Sequence, residues 1–139
     1  MTDTTTTLPD RVEIAALVDR LGLWLDEQRW DEAPAILTED ATAKTLGGTA
    51  RGRDAVVAQA RRNHEGKRTQ HVITNVVVDL DGDRATAGAN LVVTFAPEGP
   101  PAEPLFQIGE RYRFEARRTP DGWRLSAVEI RPLWRSATA

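Results

Sequence analysis

The chain has 139 residues, 40% of them hydrophobic and 28% charged, with 18 Lys and Arg against 21 Asp and Glu for a formal charge of -3. That is the length of one domain able to fold unaided, and so even a charge balance carries no footprint for nucleic acid or an anionic membrane surface. Cysteine is absent and histidine occurs twice, which excludes disulfides, thiolate nucleophiles, Cys-based metal sites and a three-His centre; no apolar run of about 18 residues and no secretory leader is visible, so a cytoplasmic protein without a membrane span is expected.

Thr2 to Thr7 form a polar lead with nothing to bury, and residues 1–7 are expected to be disordered. One domain is expected over residues 8–135, with 136–139 as a tail. Pro9 suits a first helical turn, and Asp10 and Glu13 place negative charge where the helix dipole favours it. Ile14, Leu17, Val18, Leu21 and Leu25 then recur at spacings of three and four, the apolar stripe of a long helix. A short second helix from about Trp30 to Leu37 buries Trp30, Ala33, Ile36 and Leu37. Thr38 to Asp40 read as a turn, Ala41 to Leu46 as a short strand, and Gly47-Gly48 as its end. Gly52-Arg53-Asp54 opens a third, weakly apolar helix to about Asn63.

From His71 onward the pattern is that of strands. His71 to Leu80 is followed by the tight turn Asp81-Gly82-Asp83 and by Arg84 to Phe95. The proline-rich segment Ala96 to Pro104 is a loop, after which come Leu105 to Arg118, a Thr119-Pro120-Asp121-Gly122 turn, and Trp123 to Leu133. Three helices and an early strand, then four strands in hairpin succession, predict an α+β fold with helices on one face of a curved, mainly antiparallel sheet. Strict alternation puts His71, Ile73, Asn75 and Val77 on one face of the first long strand. On the next strand it sets Thr86, Gly88, Asn90, Val92 and Thr94 against Ala85, Ala87, Ala89, Leu91, Val93 and Phe95. Single polar groups among apolar neighbours, on the face with His71 and Asn90, describe a ligand pocket. The other face is too apolar for water, which predicts a homodimer through the outer sheet face.

The run Leu23-Trp24-Leu25-Asp26-Glu27-Gln28-Arg29-Trp30-Asp31-Glu32-Ala33, the later Leu37-Thr38-Glu39-Asp40-Ala41 and Gly52-Arg53-Asp54-Ala55-Val56 resemble the SnoaL-like branch of the NTF2-like superfamily. Gln70-His71-Val72-Ile73-Thr74-Asn75, Gly109 to Tyr112 and Asp121-Gly122-Trp123-Arg124 extend the likeness over about residues 10 to 131. The resemblance implies a cone: three N-terminal helices packed on a strongly curved sheet that encloses a pocket. Members include scytalone dehydratase, ketosteroid isomerase, polyketide cyclases and small subunits of aromatic-ring dioxygenases, alongside non-catalytic proteins. Position by position the likeness is greatest to scytalone dehydratase. Asp26 matches its helix-borne aspartate and His71 its strand histidine. Asn90 stands where that enzyme has a second histidine, Leu25 replaces a tyrosine that helps hold a water, and Tyr112 stands in place of a pocket asparagine.

The chemistry of these side chains gives the candidate site. His71 can move a proton near neutral pH, or it is an interior histidine satisfied by the backbone. Asp26, about 100° off the apolar stripe, can orient and charge-balance the imidazole or act as the base itself. Asn90 and Tyr112 can hold a substrate oxygen, with Asn75 deeper on the same face. Trp24, Phe114 and Trp134 complete the expected substrate-binding set, while Trp30 and Trp123 are assigned to the core. His64, beside Arg61, Arg62 and Glu65, is read as solvated, as are Arg51 to Arg53 and the arginines at 111, 113, 117 and 118. The expected function is a cofactor-independent, metal-free acid–base enzyme of isomerase, cyclase or dehydratase type. Its substrate would be a small, largely apolar oxygenated molecule such as a polyketide-like metabolite, with His71 and Asp26 as the proton-transfer pair. The alternative is a non-catalytic dimeric module that binds a small molecule or a protein.

Overall fold

The computed structural model describes residues 4–136. Helix α1 spans Thr4–Asp26 and buries the whole predicted stripe from Ile14 to Leu25. It starts upstream of Pro9, so Thr4 to Thr7 of the expected disordered lead are helical; residues 1–3 and 137–139 lie outside the described residues. The helix stops in a Schellman-type turn. Gln28 takes the left-handed conformation at φ 53°, its N–H donates to Leu25 O at 3.3 Å, and the Arg29 N–H donates to Trp24 O at 3.0 Å. Asp26 is thereby left as the final helical residue.

The second expected helix is a 3-10 helix, Trp30–Ala35, where Pro34 lacks the N–H a longer α-helix requires. Strand β1 (Leu37–Thr45) begins at Leu37 rather than Ala41, and a short unpredicted strand β2 (Gly48–Arg51) turns back onto it. Helix α2 (Arg53–His64) follows, then β3 (Lys67–Asp81), β4 (Arg84–Pro97), β5 (Phe106–Thr119) and β6 (Gly122–Arg135). The six strands form one curved sheet in the order β2-β1-β6-β5-β4-β3, antiparallel throughout except where β1 runs parallel to β6. Among the described residues no helix is long and apolar enough to cross a membrane.

One irregularity decides which side chains face inward. The β3–β4 register runs unbroken from Lys67↔Pro97 to Thr74↔Asn90, then resumes at Val77↔Gly88. Asn75 and Val76 therefore oppose the single residue Ala89, and Asn75 absorbs the extra length at φ 57°, a left-handed conformation asparagine tolerates better than most residues. Alternation changes phase at this bulge. Thr69, His71 and Ile73 point inward before it, and Val76, Val78 and Leu80 after it. His71 opposite Val93 shares its face with Ala89, Leu91 and Phe95 and not with Asn90. The predicted common face for His71, Asn75, Val77 and Asn90 is corrected accordingly.

Polar clamps seat α1 on the sheet. Glu13 Oε2 accepts the Trp123 backbone N–H at 2.6 Å, and Asp10 accepts the Trp123 indole N–H at 3.1 Å together with a two-pronged Arg118 guanidinium. Farther along, Gly22 brings the helix against β3. A Cβ on Gly22 would lie 2.9 Å from Ile73 Cδ1 and 3.7 Å from His71 Cβ. The helix backbone thus approaches His71 one turn before Asp26.

Candidate active site

The close approach at Gly22 and the stop after Asp26 bring a carboxylate onto the strand that carries His71. Asp26 Oδ1 lies 2.5 Å from His71 Nδ1 and accepts the Thr69 hydroxyl at 2.9 Å, while Oδ2 accepts the His71 backbone N–H at 2.9 Å. An aspartate at a helix C-terminus faces the negative end of the dipole, and none of the residues in this last turn is basic. The donors from β3 supply what the helix does not. Burial is the largest single influence on Asp26 and favours its protonated form. The His71 ring, the His71 backbone N–H and Thr69 together outweigh it and hold the carboxyl below its ordinary value. An ionised Asp26 fixes the hydrogen of His71 on Nδ1, so the lone pair of the neutral ring sits on Nε2.

That second nitrogen has no protein partner among the described residues, and His71 lines a cavity of about 310 Å³ from which Asp26 is set back. The His71 side chain is 5% exposed. Leu21, Trp24 and Leu25 of α1 form one wall, Val93 and Phe95 of β4 another, and Ile108, Glu110 and Tyr112 of β5 a third. The exposed Leu46 and Arg135 stand at its rim, with the Arg135 guanidinium 4.3 Å above the Phe106 ring. Helix α2 adds Val56, Gln59, Ala60, Asn63 and His64, spaced as one helical face.

Two residues that the sequence reading passed over belong to this cavity. His64, expected in solvent, is 8% exposed, and its ring stacks on His71 with 5.8 Å between centroids and 26° between planes. Its Nδ1 lies 2.8 Å from Ala60 O, and burial lowers its basicity. Glu110 faces inward two positions before Tyr112, and burial raises its carboxyl above the usual range, partly opposed by His71. Each had a legible signal: His64 completes the helical stripe begun at Val56, and Glu110 has the same strand parity as Tyr112 and Phe114.

The predicted set divides. Asp26 and His71 meet, and Trp24 and Tyr112 line the same cavity. Tyr112 is buried, and burial together with the charges of Glu110 and Asp26 holds its phenol protonated, a hydrogen-bond donor. Phe114 lies beneath it, fully buried with ring centroids 4.8 Å apart, and supports the wall without lining it. Asn90 is on the outer face, where its Nδ2 donates to Asn75 Oδ1 at 3.3 Å, so both asparagines leave the site. Trp134 pairs with Gly109 on that same outer face and lays its indole over the glycine, away from the cavity rim. Trp123 is core, and Trp30 stands edge-on to Trp24 at 5.0 Å.

The fold has known relatives. The family model of the SnoaL-like domain matches residues 6–129. An uncharacterized protein of Mycobacterium tuberculosis is 32% identical over 125 residues, which cover 85% of this chain and 82% of the relative. A protein of Kribbella flavida superposes with a TM-score of 0.83 at 27% identity, over 94% of this chain and 95% of its own. A candidate scytalone dehydratase from Novosphingobium aromaticivorans (TM-score 0.84, 17% identity, 99% and 93% covered) and a hexachlorocyclohexane dehydrochlorinase (0.84, 17%, 99% and 94%) share the fold. The chain therefore belongs to the SnoaL-like domain family, on the cone-shaped α+β fold of the NTF2-like superfamily.

Proposed function

We propose that the protein is a cofactor-independent acid–base enzyme of the lyase or isomerase kind, acting on a small, largely apolar oxygenated molecule. The observation that carries this reading is the Asp26–His71 contact at 2.5 Å on a histidine that lines a largely apolar cavity. His71 Nε2 takes a proton from a carbon made acidic by a neighbouring carbonyl, and Asp26, behind the ring, balances the imidazolium that forms. Asp26 has no access to the cavity, so of its two candidate roles orientation is the one its placement favours. The Tyr112 phenol donates to the oxygen on which charge develops, the task earlier divided between Tyr112 and Asn90. Glu110, whose proton is held above the usual carboxyl range, is the acid available to a departing hydroxyl. An open cavity and a pair in contact favour this reading over the binding module, which expects a filled cavity or separated residues.

The step common to isomerisation, cyclisation and loss of water is carbon deprotonation, and it is testable without the natural substrate. Small apolar ketones incubated in deuterated water should exchange their α-hydrogens faster with the protein, with most of the gain lost in His71→Ala and Asp26→Asn. Exchange at the wild-type rate in both folded variants overturns the assignment. The apolar β4 set from Ala85 to Phe95 faces inward and no longer argues for a dimer, so a homodimer through the outer sheet face remains part of the proposal on the exposed Val72 and Val77 alone. Sedimentation showing only monomer at micromolar concentration removes it.

A further inference from the structure

Three buried polar atoms have no hydrogen-bond partner among the described residues: Trp24 Nε1, His64 Nε2 and Tyr112 Oη. All three side chains line the one cavity. Buried polar groups are nearly always paired, and leaving one unpaired costs stability. Three such atoms on side chains that wall one space point to a ligand that completes them.

His64 is the informative member, because the protein fixes its hydrogen-bonding sense. A backbone carbonyl only accepts, so the Ala60 oxygen at 2.8 Å places the hydrogen on Nδ1. The Nε2 of the neutral ring is then an acceptor. Burial disfavours the imidazolium that would reverse this sense. The position is anchored from two sides: Trp30 stands edge-on at 6.1 Å, and Gln28, which caps α1, reaches the His64 carbonyl at 3.4 Å. The ring also stacks on that of His71, the residue assigned to proton transfer. The Trp24 indole N–H, by contrast, can only donate. The cavity thus offers one fixed acceptor and one fixed donor within apolar walls.

We infer that His64 is a specificity-determining residue whose Nε2 accepts a hydrogen bond from a hydroxyl group of the bound molecule, so that the cavity selects hydroxylated compounds over their O-methylated and unsubstituted analogues. The inference rests on the proposed function in that it takes the cavity to be a small-molecule site. A site built around a buried acceptor rejects the ligand lacking the donor, because the acceptor is then left unpaired. Plain hydrophobicity acts in the opposite sense, since the methyl ether and the bare hydrocarbon leave water more readily than the phenol.

The test uses 2-naphthol, 2-methoxynaphthalene and naphthalene with the full chain, by calorimetric titration. The wild type should bind 2-naphthol about tenfold more tightly than either analogue, the factor expected of one good hydrogen bond. In His64→Phe, which keeps an aromatic ring of similar shape, the preference should vanish or reverse while naphthalene still binds. A measurement on the wild type guards against a misfolded variant: in imidazole ¹⁵N spectra the His64 Nε2 resonance should shift with 2-naphthol and stay fixed with naphthalene. Binding of all three probes without preference, a preference that survives in His64→Phe, or an unmoved Nε2 resonance overturns the role of His64 and leaves the cavity as a ligand site. If no probe binds at all, the small-molecule reading of the cavity fails and the inference falls with it.

Discussion

Asp26→Asn changes one atom, and the structure says what should follow. The His71 backbone N–H facing Oδ2 cannot change its sense, so the amide oxygen of the asparagine must take that place. Its NH₂ group then faces His71 Nδ1, where Oδ1 had accepted a hydrogen at 2.5 Å. The ring avoids the clash of two donors by moving its hydrogen to Nε2, and the cavity-facing nitrogen loses its lone pair. General-base catalysis contributes about 10²–10⁴-fold, so carbon deprotonation should slow by that order while the fold persists. Stability should fall as well, because three bonds to an ionised acceptor become bonds to an amide. Their combined loss is about 2–3 kcal/mol, or about 7–10 °C in Tm for a chain of 139 residues. The sign with pH follows from the direction of the shift. A carboxyl held below its ordinary value stabilises the fold fully above the unfolded value of 3.8 and loses that contribution as pH falls through the lower folded value. The part of the Tm gap that comes from ionisation of Asp26 should therefore be fully present above 3.8 and be lost only in stronger acid. Imidazole ¹⁵N spectra and thermal denaturation read both effects. A variant whose His71 keeps the hydrogen on Nδ1, or whose Tm lies within about 1 °C of wild type, refutes the reasoning.

Glu110→Gln should raise Tm at neutral pH, because burial opposes the ionised carboxylate; the penalty grows as pH rises through the elevated folded value, so the gain should disappear below the unfolded value of 4.5 in a pH series of melts. Gly22→Val should cost about 1–3 kcal/mol by overpacking α1 against Ile73 and the His71 Cβ, and should weaken the Asp26–His71 contact in the same ¹⁵N spectra. Gly22→Ala should be far milder, since the nearest atom is the mobile end of Ile73, and equal losses in chemical denaturation would count against the packing argument. Asn75→Val places a β-branched residue at φ 57° and should cost about 1–2 kcal/mol, whereas Asn75→Gly should not be destabilised by backbone strain.

How far the sequence speaks depends on whether a pattern carries its own phase. The α1 stripe does, because five apolar residues at spacings of three and four fit only one helical face, and all five are buried. The β3 pattern does not. Val76-Val77-Val78 is apolar at every position, so it reads equally well in either phase and hides the residue inserted at Asn75. The misplacement of Asn75 follows from that insertion. Asn90 is misplaced for a related reason: its parity relative to His71 is set by pairing Thr74 with Asn90 and His71 with Val93, which no single strand reveals. Strand β2 escaped because it has four residues and begins within a glycine pair. The charges of Arg61, Arg62 and Glu65 point His64 toward solvent, yet the two arginines occupy other faces of the helix and Glu65 lies past its end. Its stripe from Val56 through Gln59 and Ala60 was the better guide.

Several departures from local preference, apart from Asn75 on the outer face, have a common direction. A carboxylate closes a helix at its unfavourable end, a glutamine rather than a glycine takes the left-handed cap behind it, and among the described residues three buried polar atoms remain unpaired. Each costs the fold something on its own, and natural sequences are otherwise locally consistent. All of them border the space in front of His71, or fix a residue that does: Gln28 ends α1 at Asp26 and also reaches the turn after His64. The α1 stripe and the Trp123 clamp, by contrast, bury apolar side chains and pair their polar groups. A purely structural cavity gives no reason for that segregation, because a fold selected only for stability would fill or pair those atoms. A cavity kept for a polar ligand, as proposed above, does give one, with the residues of the proposed site doubling as the fold's local weaknesses.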